Sequence, residues 1–354
     1  MRVKVWSPFL PGAMRFIVRG SAVGGFPAAM SAQHIEIFDE ARVRALLPMP
    51  RVIAAMEEAF RAISSGKAQV PVRSGIALQD EDSRLLVMPA SVAGWPFASV
   101  KIVSVCPQNR TRGIETINGV IEVFDARTGV PCARVHAESV TALRTGAASG
   151  LATRLLARQD ADTLALFGAG AQAATQLEAI HCVRPLREVL VFGRDAARAS
   201  AFCRYWSATL GIPVRGAHRE ELVRATLVAT ATTSLAPLFE LDELHPEAHV
   251  NAVGSFTPQG CELPPALLAQ ARVVVDQRAA CLQEAGEFQR ARAAGLLEGR
   301  EDPEELGEVL VAGMARSHGR SVFKSVGNAL QDLACVCALM ATQVAREQPQ
   351  GDRP

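Results

Sequence analysis

Apolar positions along this chain follow two spacings. In the first third they alternate with polar ones over short runs. Residues 35–38, 73–78, 84–88, 98–105 and 120–125 read as strands, separated by Pro, Gly, Asp and Asn, and a further element is expected at 131–136. Two stretches there shift to helical spacing. Pro50 opens a helix with Val52, Ile53, Met56, Ala59, Phe60 and Ile63 on one face, ending at Gly66, and a second helix runs from about residue 140 to 158. From Thr163 onward, strands at 163–167, 189–192, 227–231, 249–253 and 273–276 alternate with helices at 171–181, 196–210 and 220–225. Such alternation predicts a doubly wound parallel sheet with helices on both faces. A polar, glycine-punctuated stretch occupies 299–319, and 326–344 reads as a last amphipathic helix with Val326, Ala329, Leu330, Leu333, Cys337 and Met340 on one face. The expected fold class is α/β, a parallel sheet beside a mostly antiparallel one.

The stretch from Thr163 to Ala173 carries the clearest chemistry. An apolar run feeds Gly168-Ala169-Gly170-Ala171-Gln172-Ala173, a G-x-G-x-x-A turn, and a helix follows. Strand, glycine turn and helix N-terminus together make a pyrophosphate cradle of the Rossmann type, because the second glycine leaves room and the free N–H groups face the anion. After the next strand, where an NAD-binding unit carries an acidic residue for the ribose 2′-hydroxyl, this chain has Gly193-Arg194. A guanidinium there pairs with a 2′-phosphate, so NADPH is the expected cofactor, with NADH possible. Asp195 is expected to cap the helix that begins at Ala196.

Composition narrows the remaining classes. The 354 residues suggest about two domains, and a formal net charge of +1 gives no case for nucleic acid or an anionic membrane. No apolar run approaches the ~18 residues of a spanning helix. Arg2, Lys4, Arg15 and Arg19 break up the first 30 residues, so a leader or disordered start is expected rather than a signal peptide. Eight cysteines, none in a C-x-x-C pair, read as reduced thiols in a cytoplasmic protein. His245 and His249 have i,i+4 spacing, but Pro246 intervenes and no third ligand is near, so no metal site is expected.

Three cations stand apart from the nucleotide motif. Arg73 lies in a strand between Pro71 and Gly75, Lys101 sits among apolar neighbours within a strand, and Arg144 lies near the start of a helix. A cation in an apolar strand is costly unless it meets an anion, which implies a partner carboxylate or a carboxylate ligand.

Taken together, several strings resemble the ornithine cyclodeaminase/mu-crystallin family. They are Leu86-Val87-Met88-Pro89, Lys101, Pro107-Gln108-Asn109, Thr141-Ala142-Leu143-Arg144-Thr145-Gly146-Ala147-Ala148 and the glycine turn. Thr230-Ala231-Thr232-Thr233-Ser234, Asn251-Ala252-Val253-Gly254 and Phe323-Lys324-Ser325-Val326-Gly327 agree with the same pattern, over roughly residues 35 to 345. The resemblance implies a Rossmann domain at 146–319 and an α+β substrate-binding and dimerisation domain from 31–145 with 320–348, after a leader at 1–30. It implies that Arg73, Lys101 and Arg144 grip the substrate carboxylate or reacting group, with Lys101 catalytic, and that Asp332 lies on a helix closing over the site. Thr145, Gly168, Gly170, Ala171, Gln172, Arg194, Thr232, Ser234, Val253 and Gly254 are the implied cofactor contacts, and a homodimer is the implied assembly.

Two departures from the family pattern bear on the reaction. Ornithine cyclodeaminases carry a glutamate just before the Met-Pro, where Leu86 or Val87 stands here. They also carry an aspartate two residues after the Val-Gly, where this chain has Phe256. A phenyl ring can neither transfer a proton nor hold a distal ammonium. Gly254-Ser255-Phe256-Thr257-Pro258, then Glu262-Leu263-Pro264, is similar to the branch that reduces the cyclic imino acids Δ1-pyrroline-2-carboxylate and Δ1-piperideine-2-carboxylate to proline and pipecolate. Val87-Met88-Pro89-Ala90 and Asp276-Gln277-Arg278 resemble that branch as well. A cyclodeaminase or amino-acid dehydrogenase, and a mu-crystallin-like binder of NADPH and a small molecule, remain the alternative readings.

Overall fold

A computed structural model describes residues 35–79, 82–313 and 318–347, and the leader expected at 1–30 lies outside them. The chain runs β1 (Glu36–Phe38), α1 (Glu40–Leu46), α2 (Met49–Ser64), β2 (Ala68–Gln69), β3 (Ser74–Ala77), β4 (Arg84–Val92), β5 (Phe97–Val105), β6 (Ile117–Asp125), β7 (Pro131–His136) and α3 (Ala137–Leu156). It continues through β8 (Thr163–Phe167), α4 (Ala171–Val183), β9 (Glu188–Phe192), α5 (Ala196–Leu210), β10 (Val214–Gly216), β11 (Leu227–Thr230), β12 (His249–Ala252), α6 (Pro265–Gln270) and β13 (Arg272–Val275). Last come α7 (Arg278–Glu284), α8 (Gly286–Ala293), β14 (Glu304–Glu305), α9 (Leu306–Ala312), β15 (Ser321–Lys324) and α10 (Ala329–Glu347).

Two sheets result. The first has the order β1-β7-β6-β5-β4-β2, with β3 also on β4, and every pairing but β1 with β7 is antiparallel. The second is wholly parallel, ordered β10-β9-β8-β11-β12-β15-β13-β14. Strands β9 and β10 are added on one side of β8, and the later strands on the other, beginning with β11. Loops leaving neighbouring strands diverge at such a point and open a crevice at the carboxyl ends.

Helix α3 joins the two sheets. It is buried along nearly its whole length and packs against both α2 and α4. Gly146 permits the approach to α4, since a Cβ there would stand 2.4 Å from the Thr175 carbonyl oxygen. The apolar face of α2 predicted from spacing is buried at Val52, Ile53, Met56, Ala59 and Phe60, in one core with Met88, Ile121, Leu151, Leu330 and Leu333.

Several boundaries differ from the sequence expectation. Arg144 lies two turns inside α3 rather than near its start, because the helix begins at Ala137 and follows β7 without a break. Arg73 sits just ahead of its strand. The polar, glycine-punctuated stretch 299–319 contains β14 and α9, both too short to show a period. Strand β15 belongs to the parallel sheet, between β12 and β13, so the return to the antiparallel layer begins at α10 rather than at residue 320. Helix α10 starts at Ala329 rather than Val326, since Gly327 takes φ of +77° and Asn328 Oδ1 accepts from the N–H groups of Leu330 and Gln331. Among the described residues no helix is long and apolar enough to cross a membrane.

Candidate active site

The first half of the site is the crevice at the carboxyl ends of β8, β9 and β11. A cleft of about 990 Å³ is walled by Gly168, Gly170, Gly193, Arg194, Thr232 and Ser234, among others. Gly168 takes φ of +114°, and a Cβ on it would stand 2.7 Å from the Ala231 carbonyl oxygen, so only glycine fits this turn. Gly170 is the N-cap of α4 and offers no side chain to its first-turn N–H groups. Buried Gln172 Oε1 lacks a hydrogen-bond partner among the described residues. Open backbone donors at the end of a roomy cleft fit a dinucleotide.

Arg194 is exposed at the cleft wall, and Asp195 caps α5 by accepting from the Arg198 N–H at 3.0 Å. Arg198 was not anticipated. Its Nε donates to the Ala169 carbonyl at 3.2 Å, which lays a second guanidinium across the glycine turn. The i,i+4 spacing of Arg194 and Arg198 was the available signal. Thr232 and Gly254 are tied to each other through buried Glu262, which accepts from both backbone N–H groups. The Val253 N–H donates to the Thr230 carbonyl at 3.1 Å, and Ser234 Oγ donates to the Ala236 carbonyl at 2.7 Å. Ala171 is exposed at the start of α4. Thr145 is buried, its hydroxyl donating to the Thr141 carbonyl and its own carbonyl accepting from Gln176 Nε2 of α4.

The second half gathers the cations. Lys101 on β5, Arg144 on α3 and Asp332 on α10 come together at 3 %, 6 % and 1 % exposure. Lys101 Nζ lies 2.7 Å from Asp332 Oδ2, and Arg144 Nε lies 3.4 Å from Asp332 Oδ1. Arg144 Nη1 also donates to Gln331 Oε1 at 2.9 Å. One carboxylate thus holds two buried cations, an arrangement that loses roughly 3–5 kcal/mol if the anion is removed. Arg73 is half-buried beside the segment 325–328. It donates to the carbonyls of Val326 and Gly327 and pairs with Glu284 at 2.8 Å.

Burial sets the protonation of this group. Desolvation pushes Lys101 down to about 8, Asp332 opposes that shift, and Arg144 and Arg73 add to it. Glu284 is raised by burial, against the pull of Arg73. The directly paired charges are three cations and two carboxylates. Glu284 carried no signal in the sequence. It becomes relevant only because folding brings the end of α7 to Arg73.

Positions 86, 87 and 256 supply no acid. Met88 lies opposite Lys101 in the β4–β5 register, with Leu86 and Val87 just before it. Phe256 is half-buried against the core of the parallel-sheet layer. His249 is pushed down to about 3 by burial, and its ring nitrogens meet Ser321 and Asn251. It is a core residue of β12.

The chain is similar to known proteins over most of its length. A Δ1-pyrroline-2-carboxylate reductase of Bacillus cereus is 35% identical over 316 residues, covering 88% of this chain and 96% of that protein. The solved structure of the Thermococcus litoralis Δ1-pyrroline-2-carboxylate reductase, in complex with NADH and L-proline, superposes with a TM-score of 0.83 at 30% identity, covering 88% of this chain and 98% of that one. An archaeal alanine dehydrogenase dimer with bound NAD gives a TM-score of 0.82 at 30% identity, covering 90% and 99%. Residues 34–346 match the ornithine cyclodeaminase/mu-crystallin family, and the chain belongs to it.

Proposed function

We propose that this protein reduces a cyclic imino acid, Δ1-pyrroline-2-carboxylate or Δ1-piperideine-2-carboxylate, to proline or pipecolate, with NADPH as the preferred reductant and NADH as a possible substitute. The observation that carries the reading is the buried Lys101–Asp332–Arg144 group with Arg73 beside it. Two guanidiniums suit a carboxylate as charge-assisted forks, and a lysine near neutrality can give a proton to an imine nitrogen. Phe256 favours reduction over cyclodeamination, since expelling ammonia from ornithine needs a carboxylate that this loop lacks.

In this mechanism Arg73 and Arg144 bind the substrate carboxylate and fix the ring. Asp332 keeps Arg144 and Lys101 oriented, and Lys101 Nζ protonates the imine nitrogen or holds its proton. A reduced nicotinamide supplies the hydride when bound. The turn at Gly168, Gly170, Ala171 and Gln172 receives the pyrophosphate, Arg194 with Arg198 receives the 2′-phosphate, and Thr145, Thr232, Ser234, Val253 and Gly254 frame the nicotinamide end. Positioning and field are the protein's share of the catalysis. The reading extends to a homodimer working in the cytoplasm, supported by the dimeric archaeal relative and the unpaired cysteines.

Absorbance of NADPH with each imine, beside an ornithine control, tests the reading. Turnover of an imine with ornithine inert is expected. Ammonia released from ornithine, with both imines inert, would overturn it.

A further inference from the structure

Two fully buried carboxylates lie in neither half of the proposed machinery, yet each holds one half in shape. Asp276 follows β13, and Glu262 lies ahead of α6. Both are 0 % exposed, and neither makes an ion pair among the described residues. A buried anion without a counter-ion persists only where converging N–H and O–H donors replace its hydration. The donors identify what each one organises.

Asp276 serves the substrate side. Oδ2 accepts from the Gly327 N–H at 2.7 Å, from Ser325 Oγ at 2.8 Å and from Gln331 Nε2 at 3.3 Å. Oδ1 accepts from the N–H groups of Gln277 and Val326 and from Cys281 Sγ. The bound segment supplies the two carbonyls that hold Arg73, and Gln331 reaches Arg144 with its other amide atom. Gly327 itself packs against the Arg144 guanidinium, where a Cβ would stand 2.4 Å from Nη1. Both arginines are therefore aimed through Asp276.

Glu262 serves the cofactor side. Oε1 accepts from the Thr232 N–H and hydroxyl, each at 2.7 Å. Oε2 accepts from Thr230 Oγ1 and the Gly254 N–H, each at 2.8 Å. Gly254 lies so close that a Cβ would stand 2.2 Å from the Thr232 carbonyl oxygen, so the loops after β11 and β12 are clamped as one.

We propose that Asp276 and Glu262 are positioning residues with divided duties, Asp276 for the substrate-binding arginines and Glu262 for the nicotinamide end of the cofactor cleft. The ligands named rest on the imine-reduction reading, but the division itself is a statement about two affinities. Replacing either carboxylate by its amide puts an N–H₂ where an oxygen accepts N–H groups, so one set of donors loses its partner.

The test measures NADPH affinity by nicotinamide fluorescence and pyrrole-2-carboxylate affinity by calorimetry, in the wild-type protein, Asp276→Asn and Glu262→Gln. Melting temperature is recorded beside them. Asp276→Asn is expected to weaken pyrrole-2-carboxylate about tenfold with NADPH within about twofold, and Glu262→Gln to do the reverse. Parallel loss of both affinities in each variant, or no loss in either, overturns the division. Should an amide variant fail to fold, Ser325→Ala and Thr230→Val each remove one donor and are expected to give the same split at smaller size. A wild-type protein that binds both probes but reduces no imine would sink the proposed reaction and leave the division to be judged on the two affinities. Binding of neither probe would overturn both.

Discussion

Lys101 is the residue whose environment makes the sharpest forecast. Its folded value of about 8 lies below the ordinary 10.5 because burial disfavours the ammonium. A rate that needs the protonated form is full below that value and falls about tenfold per pH unit above it. Lys101→Arg carries a charge that does not titrate in this range and is expected to abolish the alkaline limb at reduced rate. Lys101→Met is expected to lose about 10²–10⁴-fold in kcat. A pH profile of kcat/KM for the three proteins checks this, and an unchanged alkaline limb in Lys101→Arg would remove Lys101 as its source. Stability moves the opposite way. Between about pH 8 and 10.5 the unfolded chain binds more protons at this site, so the contribution to stability rises with pH across that window.

Gly327 gives a second forecast at the same scale. Its φ of +77° and its contact with the Arg144 guanidinium leave no place for a side chain. Gly327→Ala is expected to cost about 1–3 kcal/mol of stability. It is also expected to raise KM for the imine more than for NADPH. Equal KM values in variant and wild type would show that Arg144 does not depend on this contact.

Among the elements, α3 matters most to the site, since it carries Arg144 and Thr145 and packs Gly146 against α4. Gly146→Ala forces a methyl onto the Thr175 carbonyl and is expected to destabilise by about 1–3 kcal/mol. Chemical denaturation measures it, and a value near zero would mean that α3 and α4 separate freely. Elements of strong period were legible: α2, α5, β8 and the alternation after Thr163 were all placed by spacing. The short elements were not. The seven residues of α1 hold only Val43 and Leu46 in the core, and the two residues of β14 have no period at all. The 310 turn at Arg219–Arg224, read as a helix, is fixed by a capping box between His218 and Glu221, a local feature without helical spacing.

For the molecule as a whole, ligand binding and stability are linked, which allows a check on cofactor choice independent of turnover. NADPH at a hundredfold excess over its Kd is expected to stabilise the fold by about 2.7 kcal/mol, and NADH at the same concentration by less. Melting curves with each cofactor measure the difference, and equal shifts would remove the preference assigned to Arg194 and Arg198. The sequence by itself determined the α/β class, the glycine turn with its strand and helix, the arginine after β9 and three cations standing apart from the nucleotide motif. These are legible because they depend on spacing along a few turns of chain. Only the tertiary structure decided that Asp332 holds Lys101 and Arg144, that Glu284 holds Arg73, and that Asp276 and Glu262 support the two loops. Most of those partners lie tens to hundreds of residues apart, and a buried carboxylate reveals its role only when folding brings its donors to it.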